Sequence, residues 1–306
     1  SAEQVIAHLK YSEPNDRDVN DNHLFEKAVK LFSESFDRTY GGFGAAPKFP
    51  VPHNLLFLTL YAKQKNDSDV LEMVEKTLTQ MRKGGIFDQI GHGFSRYSTD
   101  KYFLAPHFEK MLYDNALLMM AYAAAYMATQ NHLYLDTAEK TAQYVIREMT
   151  SPEGGFYSAQ DADSEGVEGK YYTFTLDEII AVLGKEKGKC FSDTFDITAG
   201  GNFEGVNIPN LLKSSDLDSD FSDEMQKLYD YRKKRSRLHL DDKTLLSWNS
   251  MMIAALSMLY RVSQNEDYLQ AAIDAQRFIE KNLSENLRLF TSWRDGRRLE
   301  SGFLDD

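Results

Sequence analysis

Two kinds of helical segment alternate along this chain, and this alternation constrains its fold more than any other feature. Residues 70–83 combine a charged face with an apolar stripe, as a helix at a protein surface does. Residues 108–129, by contrast, are apolar nearly all round, which predicts a buried helix. The same reasoning predicts further surface helices at 23–37, 134–149 and 268–283, and further buried helices at 52–64 and 245–262.

A repeated pair of one buried and one charged helix is typical of concentric helical rings, so we predict an all-α fold, the (α/α)6 toroid. The pattern gives about nine helices, and a ring of six helical hairpins needs roughly three more. We therefore expect an open or incomplete ring, with residues 1–306 forming a single toroid domain of a longer chain. Within it, residues 153–175 predict a small β-hairpin insertion, and residues 196–220 predict irregular structure.

Loops rich in glycine, aromatic and acidic residues stand between the surface helices and the buried helices. Because neighbouring helices run in opposite directions, loops that follow every second helix emerge at the same end of the fold. The sequence therefore predicts one cleft lined by acidic, histidine, arginine and aromatic side chains. The loops are GGFGAAPKFP (41–50), GGIFDQIGHGFSRY (84–97), EGGFYSAQDADS (153–164), DDKTLLSW (241–248) and ESGFLDD (300–306).

Composition excludes several classes of partner. The chain has 35 basic and 47 acidic residues, a net charge of −12, which argues against nucleic acid and anionic membranes. The basic run at 232–237 is interpreted as a solvated helix face or as favourable charge near a helix C-terminus. No stretch reaches the roughly 18–20 apolar residues of a membrane span, and no signal peptide is visible, so we expect a cytoplasmic protein.

Cofactor and metal motifs are absent from the sequence. A single cysteine, Cys190, excludes an intrachain disulfide and a multi-cysteine zinc site. No Walker loop, dinucleotide-binding glycine motif or Gly-x-Ser-x-Gly elbow occurs, and Gly91-His92-Gly93 alone is a weak signal. We therefore expect neither a cofactor nor a metal.

Residues 84–115 hold the densest group of candidate catalytic side chains. Pro106 suits the first turn of the helix predicted after it, and the positive end of that helix would favour a neutral His107, the form of a general base. Asp88 and Glu109 are further acid or base candidates, and the candidate substrate-binding residues here are Gln89, His92, Arg96, Tyr97 and Asp114. The alternative is structural: His107 caps loop backbone and Asp114 pairs with Lys110.

Asp161 and Asp163 form a second acidic candidate. Two nearby carboxyl groups divide into an acid and a base when burial separates their pKa values. Their spacing does not match a calcium-binding EF-hand, since no glycine follows at the sixth position from Asp161. Turn formation is the alternative reading of such alternating aspartates.

Aromatic residues recur in the same loops. Aromatic faces in an acid-lined cleft suit sugar rings, whose C–H faces are apolar and whose hydroxyls form hydrogen bonds. Packing alone is the alternative explanation for many of them. The remaining candidate substrate-binding residues are Phe43, Tyr157, Trp248, Asn249 and Asp305.

These loops together give the chain a family resemblance. GGFGAAPKFP, GGIFDQIGHGFSRYSTDKYFLAPHFEKMLYDNALL, YSAQDADSEGVEGKYYTFT, DDKTLLSWNSMMIAALS and GFLDD resemble the helical region of the YyaL and spermatogenesis-associated thioredoxin-like (DUF255) family. The resemblance runs from about residue 40 to the end, and implies a six-hairpin glycosidase-like toroid that follows a thioredoxin-like domain in the complete protein. The chain departs from the family pattern at His92, Phe103 and Ser250, which weakens a catalytic role for His92.

The leading functional hypothesis is a carbohydrate-active enzyme. As a sugar epimerase or isomerase, it would use His107 to abstract a proton beside a carbonyl, and His92 or Glu109 to return one. As a glycoside hydrolase, it would use a carboxyl pair from Asp88, Glu109, Asp161 and Asp163, with a separation near 5 Å for retention or roughly 6.5–9.5 Å for inversion. The alternative is a non-catalytic binding or scaffold module that works with the thioredoxin-like domain.

Overall fold

The computed structural model describes residues 23–214, 217, 220–303 and 306 of the chain. Its internal contacts define two compact units, residues 1–35 and 36–306. The described part of the first unit is helix α1 (Leu24–Ser35), on which Lys30 and Glu34 lie one turn apart. The single toroid domain over 1–306 stays a prediction.

Helices make up about half of the second unit. Its described residues contain nine α-helices: α2 (Pro52–Lys65), α3 (Ser68–Lys83), α4 (Leu112–Thr129), α5 (His132–Tyr144), α6 (Leu176–Leu183), α7 (Lys185–Thr194), α8 (Ser222–Arg235), α9 (Leu246–Ser263) and α10 (Glu266–Asn282). A single π-helical turn, Val145–Met149, follows α5. The predicted surface helix over 134–149 is therefore an α-helix as far as Tyr144 and a π-helix from Val145 to Met149.

Three helical hairpins, α2–α3, α4–α5 and α9–α10, lie side by side in this unit, with α4 packed between α2 and α9. Helix α4 is buried on most sides because alanines such as Ala116, Ala121 and Ala125 let its neighbours approach closely. The predicted alternation of inner and outer helices is thus present, and the all-α toroid class is confirmed.

The same tight turn closes all three hairpins. Each inner helix ends at a left-handed residue, namely Asn66, Gln130 or Gln264. The next residue, Asp67, Asn131 or Asn265, caps the outer helix by accepting backbone N–H bonds through its side chain. This repeat fixes the antiparallel geometry of every hairpin.

Short strands join the loops at the N-terminal ends of the inner helices. The strands are β1 (Tyr97–Ser98), β2 (Pro106–His107), β3 (Lys110–Met111), β4 (Ala159–Gln160), β5 (Asp163–Ser164), β6 (Val167–Glu168), β7 (Leu240–Asp241), β8 (Thr244–Leu245), β9 (Ser284–Glu285), β10 (Arg288–Arg294) and β11 (Arg297–Ser301). All pairs are antiparallel: β1 with β2, β3–β4–β7 in one sheet, β5 with β6, and β10 with β8, β9 and β11. The β5–β6 pair confirms the hairpin predicted within 153–175.

The predicted helix over 108–129 begins later than expected, at Leu112. Pro106 and His107 form strand β2, paired with Ser98 and Tyr97, so the placement of His107 in a helical first turn is wrong. The reason is that the backbone groups of residues 106–112 form hydrogen bonds with other loops instead of with a helical turn. Arg96 N donates to the Glu109 carbonyl, and Leu112 N donates to the Ser158 carbonyl. Helix-dipole arguments therefore do not apply to His107.

Candidate functional site

Sheet β3–β4–β7 brings three of the predicted loops together where α4 begins. Lys110 pairs with Gln160, and Gln160 in turn pairs with Leu240. Next to this sheet, Asp161 N donates to the His239 carbonyl at 2.9 Å. The segments around 84–111, 153–168 and 236–245 thus meet in space, which is the arrangement that the loop pattern predicts.

Residues 106–112 alternate strictly between buried and partly exposed positions. Pro106, Phe108 and Lys110 point inward, whereas His107 and Glu109 point toward solvent, as successive residues of a strand do. This segment therefore divides its polar side chains between two clusters. We call them the acid–base cluster, on the solvent side, and the buried charge cluster, beneath the strand.

The acid–base cluster consists of Arg96, His107, Glu109, Tyr113, Asp114 and Glu168. His107 Nδ1 lies 2.7 Å from Glu168 Oε1, and its Nε2 lies 3.8 Å from Glu109 Oε2. A carboxylate is an acceptor, so Nδ1–H donates to Glu168 and Nε2 of the neutral ring keeps its lone pair. Arg96 Nη1 donates to Glu109 Oε2 at 2.9 Å, and its side chain is 41% exposed.

Asp114 lies in the first turn of α4 and is only 7% exposed. Burial raises its pKa to about 7; Arg96 and a hydrogen bond with Tyr113 oppose this shift, and the charge of Glu109 adds to it. Its Oδ2 atom has no hydrogen-bond partner among the residues that the structure describes. This carboxyl group therefore changes protonation state near neutral pH and has an unused acceptor.

Two aromatic pairs border the acid–base cluster. Tyr97 stacks on His107 at 5.2 Å between ring centroids, and Phe49, half exposed, lies 4.8 Å from Tyr97 on the other side. Trp248, from the start of α9, meets Tyr113 edge to face at 4.8 Å. These rings give the cluster apolar surfaces next to its polar groups.

The buried charge cluster consists of Asp88, Lys110 and Arg232, whose side chains are 7%, 1% and 3% exposed. Arg232 forms a bidentate pair with Asp88 at 3.0 and 2.8 Å, and Lys110 Nζ donates to Asp88 Oδ2 at 2.9 Å. Burial opposes ionisation of Asp88, but the charges of Arg232 and Lys110 outweigh it and hold its pKa well below the ordinary value. Burial also lowers the pKa of Lys110 to about 8.

Aromatic rings enclose both cations of the buried charge cluster. Lys110 Nζ lies 4.5 Å from the centre of the Tyr144 ring, and the Arg232 guanidinium lies 4.6 Å from that of Tyr171. Both oxygens of Asp88 are occupied by protein donors, so its surroundings favour a structural role. Arg232 is also not part of a solvated face, which corrects that reading of the basic run; its position near the C-terminus of α8 agrees with the other reading.

Gln89 and Asn249 are buried, and their side-chain amides form hydrogen bonds with backbone groups of other segments. Gln89 accepts from Arg82 Nη1 at 2.6 Å and donates to the carbonyls of Arg82 and Gly84. Asn249 binds both the N–H and the carbonyl of Phe156. In the preceding hairpin Asn115 binds Phe94 in the same way, a repeat visible in the sequence as LYDN and LSWN.

The remaining predicted residues lie around these clusters. His92 faces inward, burial lowers its pKa to about 3, and it borders a separate cavity of about 720 Å³ with Lys140 and Arg147. Asp161 and Asp163 are exposed, and Asp161 Oδ1 accepts the Asp163 N–H at 3.2 Å in a turn.

Two aromatic candidates lie apart from the acid–base cluster. Phe43 packs on Phe36, and Tyr157 borders a cavity of about 240 Å³ with Trp293. Asp305 lies outside the described residues.

Sequence reasoning missed Glu168 and Tyr113. Glu168 reaches His107 only because the β5–β6 hairpin turns at Glu165-Gly166, both with positive φ, and returns the chain toward β2. The run EGVEGK, with glycines beside acidic residues, was the available signal.

Within the described residues there is neither a group of three or more potential metal-binding side chains nor a helix long and apolar enough to cross a membrane.

Comparisons with known proteins identify relatives of the chain. No family model matches it. Human spermatogenesis-associated protein 20 is 32% identical over 84% of this chain and 38% of the relative, and its mouse counterpart is 33% identical over the same shares. An uncharacterised Caenorhabditis elegans protein is 32% identical over 92% of this chain and 44% of the relative. The chain thus spans about two fifths of the length of the curated relatives it matches.

Solved structures similar to the chain are carbohydrate-active enzymes. An unsaturated glucuronyl hydrolase specific for heparin has a TM-score of 0.49 at 13% identity, covering 95% of this chain and 62% of that one. An α-1,6-mannanase of Salegentibacter has a TM-score of 0.48 at 12% identity, covering 79% and 50%. Cellobiose 2-epimerase from Spirochaeta thermophila has a TM-score of 0.42 at 15% identity, covering 98% and 91%. The likeness concerns the fold alone.

Proposed function

The chain belongs to the family of spermatogenesis-associated protein 20, and from this premise we propose that the acid–base cluster is the active site of a carbohydrate-active enzyme. One observation carries the proposal. An imidazole oriented by a carboxylate and a buried carboxyl group with an unused oxygen belong to one cluster, bordered by aromatic rings. The reaction we favour is proton transfer on a sugar, as in a sugar epimerase or isomerase.

His107 is the general base in this proposal. Glu168 fixes the ring by accepting Nδ1–H, so Nε2 is the atom that takes the substrate proton. A carboxylate beside the ring also stabilises the imidazolium that forms, as in other carboxylate–histidine pairs. His107 is 29% exposed, so its ring is open to solvent and to a substrate.

Asp114 is the general acid. With a pKa of about 7, both protonation states are populated at neutral pH, so this carboxyl group gives up one proton and takes another within a catalytic cycle. The base removes a proton from the carbon beside a carbonyl, the electron pair moves onto the carbonyl oxygen, and the acid returns a proton to carbon. Arg96, partly exposed and paired with Glu109, supplies positive charge for the oxygen that becomes negative.

Binding of the sugar falls to the aromatic rings. Tyr97 with Phe49, and Trp248 with Tyr113, present ring surfaces that suit the C–H faces of a pyranose. Glycoside hydrolysis is the second candidate, because Asp114 and Glu109 are interacting carboxyl groups in different surroundings: one is buried and one is paired with Arg96.

Deuterium exchange tests the proposal directly. The purified chain is incubated in D2O with a panel of aldoses and ketoses, and NMR follows deuterium entering the carbon beside the carbonyl. We expect exchange with at least one sugar, and its loss in His107→Gln and Asp114→Asn. The matched control is Asp69→Asn, the same substitution at an exposed first-turn position of α3.

Other outcomes of the same panel separate the alternatives. Cleavage of aryl glycosides without exchange would select the hydrolase. Sugar binding without either reaction would select the non-catalytic binding or scaffold module that works with a thioredoxin-like domain. A folded chain that neither binds nor converts any sugar would overturn the proposal.

A further inference from the structure

The cationic side chains in and beside the acid–base cluster are paired with glutamates. Arg96 is paired with Glu109, and beside the cluster Lys170 is paired with Glu165. Glu168 binds His107, while no lysine or arginine among the described residues forms an ion pair with Glu168 or Asp114 within 4.0 Å. An entering ligand therefore approaches two carboxyl groups that form no ion pair with a lysine or arginine, although the more distant charge of Arg96 acts on Asp114.

Asp114 also has a hydrogen-bonding atom without a partner among the described residues. Its Oδ2 atom is buried and has no hydrogen-bond partner among the described residues, although the side chain is only 7% exposed. A buried acceptor without a partner costs free energy, and a ligand that donates to it recovers that cost. A hydroxyl supplies one such donor, whereas an ammonium group supplies three together with a positive charge.

We propose that the acid–base cluster selects a sugar carrying a protonated amino group, a hexosamine, over neutral and anionic sugars, with Asp114 as the residue that recognises the ammonium. The inference rests on the proposed function and names its substrate class. The net charge of −12 favours a cationic ligand at longer range as well.

Proton release on binding follows from this geometry. The charged groups that face Asp114 are Arg96 and Glu109, and the remaining titratable group is Tyr113. An ammonium beside the carboxyl group favours its ionised form, so hexosamine binding near neutral pH releases part of the protons held by Asp114, and the fraction that stays protonated serves as the general acid. The preference for the amine weakens as pH falls below about 7, because protonated Asp114 no longer offers the charge.

Calorimetric titration with four sugars tests the inference. The probes are glucosamine, its neutral amide N-acetylglucosamine, glucose and glucuronate, each at pH 6 and pH 7.5 in two buffers of different ionisation enthalpy. We expect glucosamine to bind about tenfold more tightly than glucose at pH 7.5. Proton release to the buffer is expected at pH 6, where Asp114 is mostly protonated and the amine is already charged. In Asp114→Asn this preference disappears, and in Asp69→Asn it remains.

The outcomes separate this inference from the function on which it rests. Equal or tighter binding of N-acetylglucosamine or glucuronate would overturn the amine preference and leave the sugar site in place. Absence of binding by all four sugars would count against both. The pH dependence in the unmodified chain decides the question even where Asp114→Asn fails to fold.

Discussion

The acid–base cluster and the buried charge cluster both contain acidic and basic side chains, but these side chains differ in how fully they are hydrogen-bonded. Asp88, in the buried charge cluster, has both oxygens bonded to Lys110 and Arg232. Asp114, in the acid–base cluster, has one oxygen without a partner among the described residues. In the first cluster the polar groups satisfy one another, and in the second one buried carboxyl oxygen lacks a hydrogen-bond partner.

Strand geometry produces this difference between adjacent residues. Glu109 and Lys110 are neighbours in the chain, yet successive side chains of an extended segment point to opposite faces. Glu109 therefore reaches Arg96 near solvent, and Lys110 reaches Asp88 in the interior. A dense group of polar residues in sequence does not by itself mark an active site. What matters is whether each side chain already has its hydrogen-bond or ion-pair partners within the protein.

Removing Asp88 should have the largest effect. Asp88→Ala leaves Lys110 and Arg232 buried without a counter-charge, so we expect a loss of about 3–5 kcal/mol in the free energy of unfolding. Urea unfolding at pH 7 measures it, with Asp69→Asn as the control that stays near the unmodified value. A loss below about 1 kcal/mol would contradict the structural role of this cluster.

The helices were the most predictable part of the molecule. Residues 108–129 show burial in their composition alone, because a helix that is apolar all round is stable inside a protein. The helix predicted as buried over 245–262 buries only one side, and Met251 on that helix is 37% exposed. The turns could also have been predicted, since Asp67, Asn131 and Asn265 are favourable N-cap residues. These features depend on local sequence.

The site was less predictable because its partners are distant in the chain. Pro106 suits a helical first turn as well as an edge strand, and the pairing that decides between them comes from Tyr97 and Ser98. Arg232 lies 144 residues from Asp88, so nothing near Asp88 shows that it is neutralised. The meeting of the loops was predictable from the direction of the helices. The hydrogen-bond and ion-pair partners of each side chain were not.

Asp114→Asn should alter the dependence of stability on pH. The folded pKa of about 7 lies above the ordinary value of 3.8, so the native state holds a proton that the unfolded state releases between these values. Asp114 therefore destabilises the fold increasingly as pH rises through this window, and the full penalty is present above pH 7. We expect the advantage of the asparagine variant to grow by up to about 3 kcal/mol between pH 5 and pH 8.

Urea unfolding at both pH values measures this difference. Asp69→Asn serves again as the control, because its side chain is exposed. A gap between Asp114→Asn and the unmodified chain that stays constant with pH would show that Asp114 does not titrate in this range.

Glu168→Gln should reduce activity with little effect on stability. The amide no longer stabilises a positive His107, so we expect the exchange rate constant to fall about 10–100-fold while KM for the sugar stays unchanged. Glu168 is half exposed, and its removal should cost under about 1 kcal/mol. Glu165→Gln, in the same hairpin but paired with Lys170, is the matched control. Equal rate losses in both variants would indicate damage to the hairpin rather than to His107.

Arg96→Met should also have only a small effect on stability. The Arg96–Glu109 pair is partly exposed to water, so its ions keep much of their hydration, and the expected loss is at most about 1 kcal/mol. A double-mutant cycle with Glu109→Gln isolates the pair, and the equivalent cycle with Asp88→Asn and Lys110→Met gives the buried counterpart. A coupling energy several times larger in the buried pair would establish that the strand separates a structural charge cluster from one kept available for a ligand. Equal couplings would remove that distinction, since the acid–base cluster would then be as much a part of the folded framework as Asp88 and its partners.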